Sequence, residues 1–139
     1  MYNKILLAAD GSEHSIRTAE RAAELARLQE NATITVIYVI DGDRSKSDVL
    51  SGGDMGMIEH RRHERLLPIE EMLEKEGVNF DVELKRGEPG PTIVKYANEN
   101  KYDIVIIGSR GLNALQEMVL GSVSHKVAKR SQCPVMIVK

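Results

Sequence analysis

The alternation of short apolar runs with helical stretches is the sequence feature that most constrains the fold. Five runs have the apolar or alternating pattern of β-strands, and they cover residues 4–9, 33–40, 80–86, 103–107 and 134–138. Four intervening stretches have helical spacing or helix-start signals, and they cover residues 14–29, 56–76, 91–100 and 122–130. This order predicts an α/β fold, a single three-layer α/β/α domain built on a five-stranded parallel sheet.

Residue types within these segments add finer expectations. Residues 103–107, with the sequence DIVII, form the most apolar strand and are predicted to be central, whereas residues 80–86 alternate and are predicted to lie at an edge. Pro68 lies inside the second helix, and we expect it to kink that helix or split it in two. Residues 41–55 are polar and contain glycine, so they are predicted to form a long loop that could act as a lid.

Length and composition exclude several classes of protein. A chain of 139 residues without an internal repeat or a linker fits one domain, residues 1–139. Its formal net charge of −2 lacks the basic excess of a general nucleic-acid binder, and its apolar runs are too short to span a membrane. The single Cys133 excludes an intramolecular disulfide and is expected to be a buried structural thiol. No signal-peptide pattern follows Met1, so we expect a soluble cytoplasmic protein.

The loops after the first and fourth strands are the candidate binding site. In an open parallel sheet, ligands lie beyond the carboxyl ends of the strands, where the strand order reverses. The first loop reads Asp10-Gly11-Ser12, and the second, residues 108–121, leads into Ser122 with the pattern G-x2-G-x9-G-S. Glycines allow close backbone approach, and a helix start offers free N–H groups to an anion. The second loop therefore predicts a phosphate site.

Local charge supports this interpretation. Between residues 108 and 130 the basic residues outnumber the single acidic Glu117, and they are Arg110, Lys126, Lys129 and Arg130. A polyphosphate is the natural partner of such a segment. The alternative is a long connection whose glycines serve only turns; the preceding strand, the helix start that follows and the positive charge favour phosphate binding.

Histidines offer weaker candidates. His14 and His125 lie near predicted helix starts beside the presumed cleft, where either could touch phosphate, although a surface position is the simpler interpretation. His60, His63 and Glu64 lie within two turns of the second helix and could hold a metal, but their neighbours Arg61, Arg62 and Arg65 favour a solvated face.

Two stretches of the sequence resemble a known family. Residues 4–12, KILLAADGS, and residues 108–138, which include Cys133-Pro134-Val135, resemble the ATP-binding branch of the universal stress proteins, and the likeness extends over the whole chain. The spacing G-x2-G-x9-G-[S/T] is specific to that branch. The resemblance implies a Rossmann-like fold with strand order 3-2-1-4-5 and ATP in the cleft at the carboxyl ends of the strands.

The resemblance also implies which residues bind the ligand. Ala9 and Asp10 would lie by the ribose and adenine, and Val39 would offer backbone hydrogen bonds to adenine. The remaining ATP-binding positions belong to the glycine motif, and they are Gly108, Ser109, Arg110, Gly111, Gly121, Ser122, Val123 and Ser124. Asp10 could also hold Mg²⁺ through water. The family pairs through its last strand, so a homodimer would form through Pro134, Val135, Met136, Ile137 and Val138.

The sequence shows no catalytic machinery beside this site. No paired general base is positioned to activate a water, and no nucleophile–base pair is apparent. We therefore predict an ATP-gated dimeric module that acts by binding, with an unidentified protein as a further partner. Two alternatives stay open: a slow ATPase or autophosphorylating enzyme, and a dimerisation module that does not use nucleotide.

Overall fold

The fold is an α/β sandwich of alternating strands and helices. The structure is a computed structural model that describes residues 1–40, 55–109 and 121–139, of which residues 55–63 by backbone only. The described strands are β1 (Lys4–Ala9), β2 (Thr33–Ile40), β3 (Asn79–Arg86), β4 (Ile104–Gly108) and β5 (Val135–Val138). The described helices are α1 (Glu13–Arg27), α2 (Met55–Lys75), α3 (Pro89–Glu99) and α4 (Ser122–Arg130). The predicted α/β class is confirmed.

The strands form one parallel sheet with the order β3-β2-β1-β4-β5. The order reverses at β1, because the chain adds β2 and β3 on one side of β1 and β4 and β5 on the other. The carboxyl ends of β1 and β4 therefore lie at the topological switch point, where α/β sheets bind ligands. The expected strand order and the edge position of β3 are confirmed. β4 is interior, as expected, but the middle place belongs to β1.

Side-chain alternation along the strands creates two cores. Ile5 and Leu7 of β1 face a core that α1 and α2 cover, whereas Leu6 faces a second core beneath α3 and α4. All three of these side chains have no solvent exposure. A strand that is buried on both faces must be apolar throughout, which explains the unbroken run KILLAA.

Two prolines behave differently from the sequence expectation. α2 continues from Met55 to Lys75 without a break at Pro68, so of the two expected effects, a kink or a split, the split is wrong. Leu66, Ile69 and Leu73 are buried on both sides of that proline. Each such side chain stabilises the fold by about 1.5–3 kcal/mol, which together exceeds the roughly 3 kcal/mol that an internal proline costs.

The second difference concerns the start of α3. The helix begins at Pro89 rather than at Pro91, because Glu88 occupies the N-cap position with extended backbone. Proline is well tolerated at the first helical position, where its missing N–H would have had no partner. Most of the predicted loop at residues 41–55, with its expected lid role, lies outside the described residues; only Met55 is described, as the first residue of α2.

Candidate functional site

The start of α4 lies at the carboxyl end of β4. Gly121 is the N-cap residue, with φ −63° and ψ 156°, and no side chain caps this helix. The first N–H groups of a helix have no acceptor within it, so the backbone of Ser122, Val123 and Ser124 presents donors here. These donors and the positive end of the helix dipole suit an anion.

A pair of backbone hydrogen bonds anchors this helix start. The Gly121 N–H donates to the Ser109 carbonyl at 3.0 Å, and the Ser109 N–H donates to the Val138 carbonyl at 2.8 Å. Ser109 follows β4 directly and is 8% exposed. The N-cap of α4 is thereby fixed to the ends of both β4 and β5.

Gly108 and Gly121 have different surroundings. A Cβ atom on Gly108 would lie 2.5 Å from His14 Cδ2 and 3.0 Å from Thr18 Oγ1, so packing against α1 requires glycine. A Cβ atom on Gly121 would lie 3.5 Å from the Ser109 carbonyl oxygen, an ordinary contact. The backbone of Gly121 is also accessible to any residue. Among the described residues, packing therefore explains Gly108 and gives no reason for Gly121.

Asp10 builds the turn between β1 and α1. Its Oδ1 accepts hydrogen bonds from the Ser12 N–H at 2.9 Å and from Ser15 Oγ at 2.7 Å. Ser15 Oγ in turn accepts the Asp10 N–H at 3.0 Å. The carboxyl group is thus oriented by α1 at the switch point.

Arg65, which the sequence pattern placed on a solvated helix face, lies near this turn and was not recognised as a candidate site residue. Gly11 has φ +82°, and a Cβ atom there would lie 2.9 Å from Arg65 Cβ. The guanidinium Nη1 donates to the Tyr38 hydroxyl at 3.0 Å. The only sign of this position in the sequence was that Arg65 directly precedes Leu66 on the helix, and Leu66 is buried.

Ala9 and Val39 lie at the ends of β1 and β2. Ala9 pairs with Tyr38 in the last register pair of the two strands. The Thr33 N–H donates to the Asn3 carbonyl at 2.8 Å, so the odd-numbered residues of β2 direct their backbone groups toward β1. Val39 is one of them, and its carbonyl points to that side just beyond the last pair.

The two serines of α4 face different surroundings. Ser124 is 2% exposed, and its Oγ donates to the Gly121 carbonyl at 3.0 Å, so its hydroxyl is turned toward the helix start itself. Ser122 is exposed, and Val123 packs against the second core. A ligand at this helix start would therefore meet the Ser122 hydroxyl more readily than that of Ser124.

Several predicted residues cannot be compared with the structure. Arg110 and Gly111 lie outside the described residues, and so do the side chains of His60 and His63. Within the described part of the chain, no group of three or more His, Cys, Asp or Glu side chains could hold a metal ion. None of the described helices is long and apolar enough to cross a membrane.

The outer edge of β5 is apolar, and some of its backbone N–H and C=O groups point away from the sheet. The carbonyls of Pro134 and Val138 accept hydrogen bonds from Val105 and Ser109 of the β4 side, at 3.0 and 2.8 Å. Because backbone groups alternate along a strand, Val135 and Ile137 direct theirs away from the sheet. Within the described residues no strand pairs with this edge.

Cys133 lies at the opposite end of the sheet from the glycine motif. It borders a cavity of about 190 Å³ at the amino ends of β4 and β5, lined by Ala97, Asn98, Lys101, Tyr102, Gln132 and Cys133. Burial raises the pKa of the Cys133 thiol above its ordinary value. The thiol is half-buried, whereas a buried thiol was expected, and a raised pKa makes it a poor nucleophile at neutral pH.

Comparison with known proteins points to one family. The model of the "Universal stress protein family" matches residues 1–139. Universal stress protein YxiE of Bacillus subtilis (strain 168) is 34% identical over 153 residues, and the match covers 100% of both chains. The solved structure of the hypothetical protein MJ0577 matches with a TM-score of 0.86 and 30% identity, over 100% of this chain and 96% of that one.

A further solved structure is a universal stress protein in complex with cAMP. It matches with a TM-score of 0.72 and 24% identity, over 99% of this chain and 97% of that one. At this identity the likeness shows a shared fold alone.

Proposed function

The chain belongs to the universal stress protein family, and we propose that it binds ATP at the start of α4 and acts as a nucleotide-gated, dimeric stress-response module. The observation that carries the proposal is Gly121: a glycine for which the described residues give no packing reason, at an uncapped helix start tied to the carboxyl end of β4. A phosphate that approaches the first N–H groups of α4 gives this glycine its reason, because a Cβ would stand in its path.

The two halves of the nucleotide would contact different segments of the chain. The phosphates would contact Gly121, Ser122, Val123 and Ser124 through backbone N–H groups, with Arg110 and Gly111 of the motif adding to the cradle. The adenosine half would lie toward Ala9, Asp10 and Val39, where the Val39 carbonyl points beyond the last β1–β2 pair. The cAMP complex of a fold-level neighbour supports room for an adenine nucleotide in this fold.

Binding of Mg²⁺ would depend chiefly on the phosphates of the bound nucleotide. Asp10 supplies one carboxylate at the switch point, and its Oδ1 already accepts two hydrogen bonds. Mg²⁺ usually keeps several waters and binds through one or two carboxylates together with substrate phosphates, so a single Asp is a sufficient protein contribution. The ion would neutralise phosphate charge beside this carboxylate.

Dimerisation would use the edge of β5. Val135 and Ile137 direct backbone groups outward, and an apolar edge strand left open favours pairing with another chain. Met136→Asp is expected to give a monomer, because a carboxylate opposes an apolar interface; since Met136 also packs against the first core, circular dichroism of the variant checks that the fold is kept. Sedimentation of this variant beside wild type measures the change, and a Met136→Asp protein that is still dimeric would place the interface elsewhere.

The experiment for nucleotide binding is a thermal melt of nucleotide-free protein with ATP, ADP, AMP and cAMP, each with and without Mg²⁺. A ligand at a hundred times its dissociation constant adds about 2.7 kcal/mol of stability. We expect a larger shift with ATP than with AMP. No shift with any nucleotide at millimolar concentration contradicts the proposal. Turnover of ATP faster than about one per second, within the ordinary enzyme range, would favour an enzyme over a binding module.

A further inference from the structure

We propose that His14 is a positioning residue of the phosphate-binding helix start, a role that rests on the proposed function. Its ring lies at the beginning of α1 and contacts the ends of β4 and β5, from which Ser109 connects to the N-cap of α4. The sequence alone left His14 as a surface residue near a helix start.

The first contact is a hydrogen bond to the end of β5. His14 Nε2 lies 2.8 Å from the Val138 carbonyl oxygen. A carbonyl only accepts, so Nε2 carries the proton and donates. The Ser109 N–H donates to the same oxygen at 2.8 Å. One carbonyl, on a residue that is 7% exposed, thus receives donors from α1 and from the end of β4.

The second step leads from Ser109 to the phosphate site. The Ser109 carbonyl accepts the Gly121 N–H at 3.0 Å. Ser109, whose N–H donates to Val138, therefore also positions the N-cap residue of α4. The continuous path is His14, Val138, Ser109 and Gly121. A shift of the Val138 carbonyl would move Ser109 and, with it, the N–H groups that face the phosphates.

Packing holds the ring in this position. Gly108 has no Cβ, and the space where one would be is occupied by His14 Cδ2 at 2.5 Å. Thr18 Oγ1, also within 3.0 Å of that position, donates to the His14 carbonyl at 2.9 Å. The missing side chain of Gly108, the first glycine of the motif, therefore makes room for the imidazole. The imidazole in turn donates to the Val138 carbonyl, to which the rest of the motif is connected through Ser109.

The test compares two substitutions of similar volume. His14→Gln keeps an N–H donor that can reach the Val138 carbonyl, whereas His14→Leu removes the donor and keeps most of the packing. We expect His14→Leu to weaken ATP and ADP binding about fivefold, the equivalent of one hydrogen bond of about 1 kcal/mol, with adenosine affinity unchanged. His14→Gln should restore most of the affinity. Ile69→Val, a core change under α2, is the control for a general loss of stability.

A second readout needs no ligand. The amide ¹H–¹⁵N signals of Ser109 and Gly121 should move in His14→Leu and return toward their wild-type positions in His14→Gln. Should His14→Leu fail to fold, His14→Ala takes its place in both measurements.

Four results would overturn the inference. ATP affinity in His14→Leu equal to that of wild type, or amide signals of Gly121 that do not move, would show that His14 only fills space. Equal losses for adenosine and ATP would place its effect away from the phosphates. Wild-type protein that binds no nucleotide would remove the proposed function itself, a failure that the wild-type titration reveals before any variant is made.

Discussion

Gly108 and Gly121 stand at the two ends of one connection, and the motif treats them alike, but their surroundings differ. The space beside Gly108 is filled by His14 and Thr18, so a larger residue cannot fit. In the part of the chain that the structure describes, the space beside Gly121 holds only ordinary contacts, at an uncapped helix start. The difference teaches that a motif can combine a glycine kept for the fold with one kept for a ligand, and that only the structure separates them.

The largest effect is expected for Gly108→Ala. The added Cβ would lie 2.5 Å from His14 Cδ2, which forces the ring or α1 to move. We expect the free energy of unfolding to fall by about 3 kcal/mol, the upper range for overpacking a tight site. Urea denaturation measures it. A variant as stable as wild type would mean that the two glycines do not differ in the way described.

In contrast to Gly108→Ala, Gly121→Val is expected to change ATP binding and not the stability of the ligand-free protein. The N-cap backbone at φ −63° and ψ 156° admits valine, so unfolding without ligand should change by no more than about 1 kcal/mol. The stabilisation by ATP, about 2.7 kcal/mol at a hundred times the wild-type dissociation constant, should disappear because the branched side chain occupies the path of the phosphate. Thermal melts with and without ATP measure both values. Unchanged ATP stabilisation would move the phosphate site away from Gly121.

A smaller effect tests the cause assigned to Gly108. In the double variant His14→Ala with Gly108→Ala, the methyl group added at residue 108 replaces part of the imidazole that was removed. We expect the double variant to be more stable than the sum of the two single losses predicts, by about 1 kcal/mol, as is typical for residues in direct contact. A double-mutant cycle in urea measures this coupling. Additive losses would show that His14 is not what excludes a side chain at residue 108.

The smallest effect concerns Asp10, whose carboxyl has both a structural and a charged role. Asp10→Asn keeps an oxygen that can accept from Ser12 and Ser15, so the fold should be retained. Loss of the charge should reduce the extra affinity that Mg²⁺ gives to ATP by severalfold, equivalent to roughly 1 kcal/mol. Calorimetric titration of ATP with and without Mg²⁺ gives the comparison. If Mg²⁺ raises the ATP affinity of Asp10→Asn as much as that of wild type, Asp10 does not lie beside the ion.

Much of the fold could be predicted because its signals are local. The five strands and four helices follow from apolar periodicity and from glycine and proline positions, which act over a few residues. The split that we considered beside a kink at Pro68 was wrong because burial of Leu66 and Ile69 outweighs a local preference. Tertiary packing of this kind cannot be derived from the residues around one proline.

The candidate site could be predicted only in part. The predicted helix start at Ser122 matches the structure, and the predicted strand end at Ile107 is one residue short of the observed end at Gly108. The contact between His14 and Gly108 joins positions far apart in the sequence, and the hydrogen bond from His14 to Val138 spans 124 residues. No local pattern marks such contacts, so the structural reason for Gly108 and the orientation of Ser124 appear only in three dimensions.

Titration of ATP into ¹⁵N-labelled protein tests the central claim most directly. The amide signals of Ser122, Val123 and Ser124 should show the largest shifts, because their N–H groups would donate to phosphate, while Asn98 and Gln132 beside the cavity at the opposite end should stay in place. Shifts confined to that far cavity, or an ATP titration that moves none of the three α4 amides, would contradict a phosphate site at this helix start.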